Sequence, residues 1–219
     1  GTLLMPCCLE NGRDLIHGGA ETHYAHWEGI GLPNAADMLS AAEQLLQQGA
    51  DLAALFARLD AGEPALFAQL RALPKFGNDA DGPDAAAARL VELLADALER
   101  RRTPLRAAMM LGHLAGGENM HICYGRLMGA TLDGRAAGQP LADSLAGAQG
   151  KTTAGPTAIM RSLCRLDHAR LVAGNVSTVR LSPADVATPE ARRRVVALVR
   201  AFIALGGSQL QLNVVDGAT

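Results

Sequence analysis

Thr188-Pro-Glu-Ala-Arg-Arg-Arg-Val-Val-Ala-Leu-Val-Arg-Ala-Phe-Ile-Ala-Leu-Gly-Gly-Ser-Gln-Leu-Gln-Leu-Asn-Val-Val-Asp216 is the stretch whose reading decides the fold. Thr188 is suited to cap a helix, Pro189 to occupy its first position and Glu190 to place an acid in its first turn. Val195, Leu198, Val199, Phe202 and Ile203 recur at helical spacing and predict one apolar face. Gly206-Gly207 closes the helix. Beyond it, Leu210, Leu212 and Val214 alternate with polar residues, so Ser208–Asp216 reads as a strand. Helix, Gly-Gly turn and strand make an αβ unit, and the fold class follows as α/β.

Upstream, Asn175–Leu181 alternates in the same way and is expected to be a strand. Helices are expected over Ala35–Gln48, with Asn34 as cap, and over Asp51–Leu59, Pro64–Leu73 and Pro156–Leu166. Another is expected over Asp84–Arg101, with Leu90, Leu93, Leu94, Ala97 and Leu98 on its buried face. The basic run Arg100–Arg102 suits the negative end of that helix. Thr2–Cys8 and Met120–Tyr124 read as short extended segments, whereas Gly18–Pro33 and most of Met109–Gly155 read as loops. Ordered loops of that length without secondary structure are uncommon unless they serve a function.

Composition narrows the function classes. The chain has 219 residues, 49% hydrophobic and 19% charged, with a formal net charge of −2. A charge so near balance carries no nucleic-acid footprint, and the apolar fraction argues against disorder. No apolar run reaches the ~18–20 residues that span a bilayer, so no membrane partner is expected. The first ten residues lack the basic and apolar regions of a signal peptide. Cys7, Cys8, Cys123 and Cys164 match neither a metal spacing nor a disulfide framework, and a reducing, cytoplasmic setting is the expectation.

Cys7-Cys8-Leu9-Glu10 is the most reactive group. In an extended chain Cys8 and Glu10 lie on the same side, a thiol beside a carboxylate. That pair suits nucleophilic catalysis, redox chemistry or hydrogen-atom transfer. The plain alternative is a buried cysteine pair followed by a surface Glu.

Further motifs follow in order: Gly18-Gly-Ala20, Lys75-Phe-Gly-Asn-Asp79, Gly129-Ala-Thr-Leu-Asp-Gly-Arg135, Gly138-Gln-Pro-Leu-Ala-Asp143, Gly155-Pro-Thr-Ala158 and Leu205–Asp216. Together with Cys8 they resemble the glycyl radical enzymes, the superfamily of pyruvate formate-lyase and its dehydratase and decarboxylase relatives. The resemblance implies part of a ten-stranded α/β barrel with Cys8 at the tip of a finger loop on its concave side. It implies that Cys8, as a thiyl radical, abstracts a substrate hydrogen atom and that Glu10 acts as general base or acid. The expected chemistry is C–O, C–N, C–C or C–S cleavage of a small polar substrate. Cys7 beside Cys8 resembles pyruvate formate-lyase itself, whose acetyl transfer to coenzyme A is the alternative. A non-catalytic degenerate relative is the other.

The resemblance has departures. Where the family often has Tyr-Asn after Gly-Gly-Ala, this chain has Thr22-His23, so His17 and His23 are expected to face substrate. The family needs no metal, and none is expected. An Arg-Val-x-Gly-Tyr-like stretch carries the family's radical; it does not occur here and is expected beyond Asp216. Residues 1–219 are thus expected to be the C-terminal part of the catalytic barrel without the glycine radical domain. No cofactor is expected to be bound to this chain. The implied partners are the small-molecule substrate, an S-adenosylmethionine-dependent radical activase, the remainder of the barrel and a second copy in a homodimer.

Overall fold

A computed structural model describes residues 2–102, 108–112 and 119–216. In chain order the elements are α1 (Pro6–Asn11), β1 (Tyr24–Glu28), α2 (Leu32–Gln47), α3 (Leu52–Asp60), α4 (Pro64–Ala72), α5 (Asp81–Glu99), β2 (Ala108–Gly112), α6 (Met120–Leu127), α7 (Pro156–Leu163), β3 (Ser177–Leu181), α8 (Ala184–Ala187), α9 (Pro189–Ala204) and β4 (Leu210–Val214). β1 pairs with β2 and β3 with β4, both in parallel. A parallel pair needs a crossover, and helices supply it: α2–α5 between the first two strands, α8 and α9 between the second. Among the described residues the strands form two separate pairs of a mixed α/β fold.

The deciding stretch folds as its sequence reads. The Thr188 hydroxyl accepts from Ala191 N–H, Pro189 starts α9, and β4 follows the Gly-Gly turn. Gly207 is there for space: a Cβ would lie 2.3–2.5 Å from the ring of Phe202, which is fully buried. Of the predicted apolar face, Phe202 enters the core and Val195 and Leu198 pack against it, but Ile203 is exposed.

Three helix starts and faces differ from expectation. Gly31, in the left-handed region, is the cap of α2, and Asn34 is buried inside its first turn. α5 begins at Asp81 and buries Ala86, Ala87, Val91, Ala95 and Leu98, while Leu93 faces solvent. Alanines let α5 lie close against α2, so its buried stripe follows small residues rather than the leucines. The basic run does close α5: Arg100 Nε donates to Asp96 O and Arg102 to Glu99 O.

Two predicted extended segments are helical. Thr2–Leu4 is a 3-10 turn, and Pro6–Asn11 forms α1 with Pro6 at its start and Gly12 as its left-handed cap. Those two residues are helix punctuation, Pro just inside the start and Gly just past the end. Met120–Tyr124 lies in α6, where Gly125 packs so tightly that a Cβ would sit 2.4 Å from Gln139 O. Conversely, β1 and β2 arise in stretches read as loop.

The main core joins α2, α5, α7, β3 and α9 through Ala36, Val91, Leu163, Val179 and Phe202. A second cluster packs α3 and α4 around Leu55, Leu66 and Leu70.

Candidate active site

Cys8 lies on α1, not at a loop tip, and is buried, while Glu10 is exposed. Residues two apart on an α-helix lie about 200° around its axis, so the same-side geometry of an extended chain is lost. Burial pushes the Cys8 thiol above its ordinary value, and the adjacent Cys7 adds to this. A thiol so placed stays protonated. It is a poor thiolate nucleophile but keeps the S–H bond that hydrogen-atom transfer uses.

His17 is exposed at the end of a 3-10 turn, 3.4 Å from the Asp14 carboxylate. Asp14 also accepts from the Thr2 hydroxyl and is held below the usual carboxylate range by that bond first. His23, half-buried just before β1, has an Nε2 that is enclosed and without a hydrogen-bond partner. The structure thus places Cys7, Cys8 and Glu10 on one short helix, with His17 in the following turn and His23 before β1. Among the described residues, no group of three or more His, Cys, Asp or Glu side chains could hold a metal ion.

The motif loops are built as polar hubs, half-buried at Asn78 and buried at Asp84 and Asp133. Asn78 donates to Lys75 O and Lys151 O and accepts from Thr153 N–H and Ala154 N–H, tying the turn before α5 to the loop before α7. Asp84 accepts from Ser162 on α7, and Ser162 accepts from Asp79 N–H. Asp133 accepts from Asn34 Nδ2, whose amide oxygen accepts from Ala142 N–H. Beside these, Asp37 accepts from Phe76 N–H, and burial pushes its carboxyl up to about 7. Lys75 donates to Leu70 O and Leu73 O, and burial lowers its ammonium.

These hubs hold up a cavity of about 300 Å³ lined by His121, Asp143, Thr152, Thr178, Arg180 and the start of α7 at Gly155-Pro156. A second of similar volume lies against Arg71, Asp133 and Arg135. Neither is lined by Cys8. Sequence reasoning passed over His121 and Arg180. For Arg180 the signal was available, because the alternation in Ser177–Leu181 that predicts a strand also puts Thr178 and Arg180 on its second face.

The family model described as pyruvate formate lyase-like matches residues 2–123, more than half of the chain. The chain belongs to this family of glycyl radical enzymes. A second model, described as glycine radical, matches residues 141–219. Sequence of the glycine radical type therefore lies within the chain, where it had been expected only beyond Asp216; residues 217–219 are outside the described ones. This glycyl radical enzyme chain is 28% identical over 227 residues to trans-4-hydroxy-L-proline dehydratase of Clostridioides difficile, covering 97% of this chain and 28% of that protein. It is 25% identical to (2S)-3-sulfopropanediol dehydratase of Klebsiella oxytoca, covering 97% and 27%. The glycerol-bound B12-independent glycerol dehydratase of Clostridium butyricum superposes with a TM-score of 0.90 at 28% identity, over 98% of this chain and 28% of that one. The chain spans just over a quarter of the length of these relatives.

Proposed function

We propose that this glycyl radical enzyme carries out radical elimination on a small polar substrate, as a dehydratase or lyase, with Cys8 and Glu10 as its reacting groups. The observation that carries the reading is the buried, protonated Cys8 thiol two residues before a carboxylate, in a chain whose relatives along its whole length include dehydratases. A glycyl radical, when present, supplies the oxidising equivalent by taking the thiol hydrogen atom of Cys8. The Cys8 sulfur then takes a hydrogen atom from a substrate carbon and becomes S–H again, leaving a carbon radical. Glu10 accepts the proton of the neighbouring hydroxyl, and the leaving group departs from the adjacent carbon with its electron pair. The product radical recovers the hydrogen atom from Cys8, which leaves the sulfur as the radical that opened the turnover; return of the hydrogen atom first given up to the glycyl position would restore the thiol.

Both side chains must reach one substrate, whereas on α1 they diverge. The proposal therefore includes unwinding of Pro6–Gly12 in the working enzyme, and a helix of one and a half turns resists that only weakly. The activase, the substrate and a second copy are the proposed partners. His17 and His23 are proposed to contact substrate.

Cys7 favours a second reading, acetyl transfer to coenzyme A through two thiols, because it stands next to Cys8 on α1. The test is anaerobic activation of the complete protein followed by product assay on vicinal diols, hydroxy acids and pyruvate. Loss of diol or hydroxy-acid elimination in both Cys8→Ala and Glu10→Gln, with Cys7→Ala active, supports the first reading. Pyruvate cleavage that survives Glu10→Gln and disappears in Cys7→Ala supports the second. Turnover that persists in Cys8→Ala refutes both.

A further inference from the structure

β3 has two unlike faces. Ser177, Val179 and Leu181 are buried against the helices, whereas Thr178 and Arg180 line the cavity in front of α7. Among the described residues the Arg180 guanidinium has no hydrogen-bond or ion-pair partner. His121, in the same wall, is 8% exposed, and its Nδ1 is enclosed with no hydrogen-bond partner. Leaving a buried polar atom unpaired costs stability, and such an atom in a cavity wall marks a place that a ligand can satisfy. α7 begins at this cavity with Gly155 as its cap and no side chain capping its free N–H groups. Among the described residues Asp143 supplies the one carboxylate of the lining, its Oδ1 accepting from the Ser144 hydroxyl.

We propose that this cavity binds a small monoanion bearing a hydroxyl group, of the hydroxycarboxylate class. Arg180 offers the planar fork that pairs with a carboxylate, and the uncapped start of α7 adds partial positive charge. Asp143 opposes a second negative charge and accepts from the ligand hydroxyl. His121 completes the polar contacts from the buried side. A volume of about 300 Å³ sits at the small end of ligand cavities, which fits a molecule of a few carbon atoms. The site goes beyond the radical reading: Cys8 does not line it, and binding there needs no radical.

The test is titration of the complete, unactivated protein with glycolate, read by the ring C–H resonances of His121. Glycolate should shift them saturably, Arg180→Ala should weaken binding at least tenfold, and Arg180→Lys, which keeps the charge but loses the fork, should fall between. Glycerol, neutral and of similar size, should give no saturable shift. No saturation with glycolate would mean that other residues of the protein fill the cavity, and it overturns the proposal. So does an equal response to glycerol, or a glycolate affinity unchanged in Arg180→Ala. None of these outcomes bears on whether Cys8 carries a radical.

Discussion

Arg135→Ala should be the most damaging polar substitution in the second half of the chain. Arg135 is 7% exposed, and its guanidinium donates to Gln139 O at 2.7 Å, Ala136 O at 3.2 Å, Gly129 O and the Thr131 hydroxyl, with Gly125 O at 3.5 Å. It thus gathers the carbonyls of its own loop, and the same loop presents Asp133 to Asn34. A hydrogen bond from a charged donor contributes about 1.5–3 kcal/mol, and each buried acceptor left unpaired costs about 1–3 kcal/mol. Five such losses do not add in full, because the neighbouring cavity of about 300 Å³ lets water reach part of the vacated space. The expected loss is therefore about 3–5 kcal/mol, a large share of the roughly 5–15 kcal/mol that holds a domain folded. Arg135→Lys restores charge but not the fork and should recover less than half. Urea denaturation of the purified protein measures both, and limited proteolysis should show new cleavage between residues 128 and 140. A loss under about 1 kcal/mol for Arg135→Ala, with the loop still protected, would refute the view that this side chain organises the motif.

Gly207→Ala drives a methyl into the Phe202 ring and should cost about 1–3 kcal/mol by overpacking; an unchanged melting midpoint would contradict that. Asp37 titrates at about 7 in the folded chain against an ordinary 3.8, so the folded state holds its proton more tightly and stability falls as pH rises from about 4 to 7. Relative to Asp37→Asn, which still accepts from Phe76 N–H, the wild type should lose about 2–3 kcal/mol between pH 5 and 8 in urea unfolding, and a flat difference would refute the shift. His168 shifts the other way. Burial lowers it and outweighs the hydrogen bond to Leu163 O, which acts the other way, so its contribution is intact above the ordinary 6.5 and is lost as pH falls below that value toward the folded one. Its ring resonances should titrate below 6.5 in the folded protein, and titration at or above 6.5 would contradict the burial argument.

The α/β class and the helices α2–α5, α7 and α9 were legible because each combines an apolar period with local punctuation. Asp51 and Thr188 cap as their chemistry dictates, and Pro64, Pro156 and Pro189 each open a helix. β1 and β2 were not legible. Tyr24-Ala-His-Trp-Glu28 is largely exposed, and Ala108-Met-Met-Leu-Gly112 has no β-branched residue. What makes these segments strands is their mutual pairing, Tyr24 with Ala108 through Glu28 with Gly112, across a long separation that no local pattern records. α6 failed for a related reason. Met120–Tyr124 is apolar enough for either structure, and the contact of Gly125 with Gln139 and Pro140 decides it.

The candidate site divides in the same way. That Cys8 and Glu10 form a reactive pair could be read from residue types and spacing, but their relative placement could not, because period two was applied to a segment that Pro6 and Gly12 punctuate as a helix. The motif loops carry a more general lesson. Asn78, Asp133 and Arg135 were legible as members of ordered loops, yet their side chains turn inward and bond to backbone groups, so in this structure they act on position rather than on substrate. Asn34 shows how far that reaches: its amide joins Asp133 in one loop to Ala142 N–H, one residue before Asp143 in the cavity wall. Loosening the Arg135 hub should therefore be felt at Asp143 through a continuous chain of buried hydrogen bonds. Glycolate affinity in Arg135→Lys, measured where that variant remains folded, should fall even though residue 135 does not line the cavity. Unchanged affinity there would separate the two loops energetically and confine the role of Arg135 to stability.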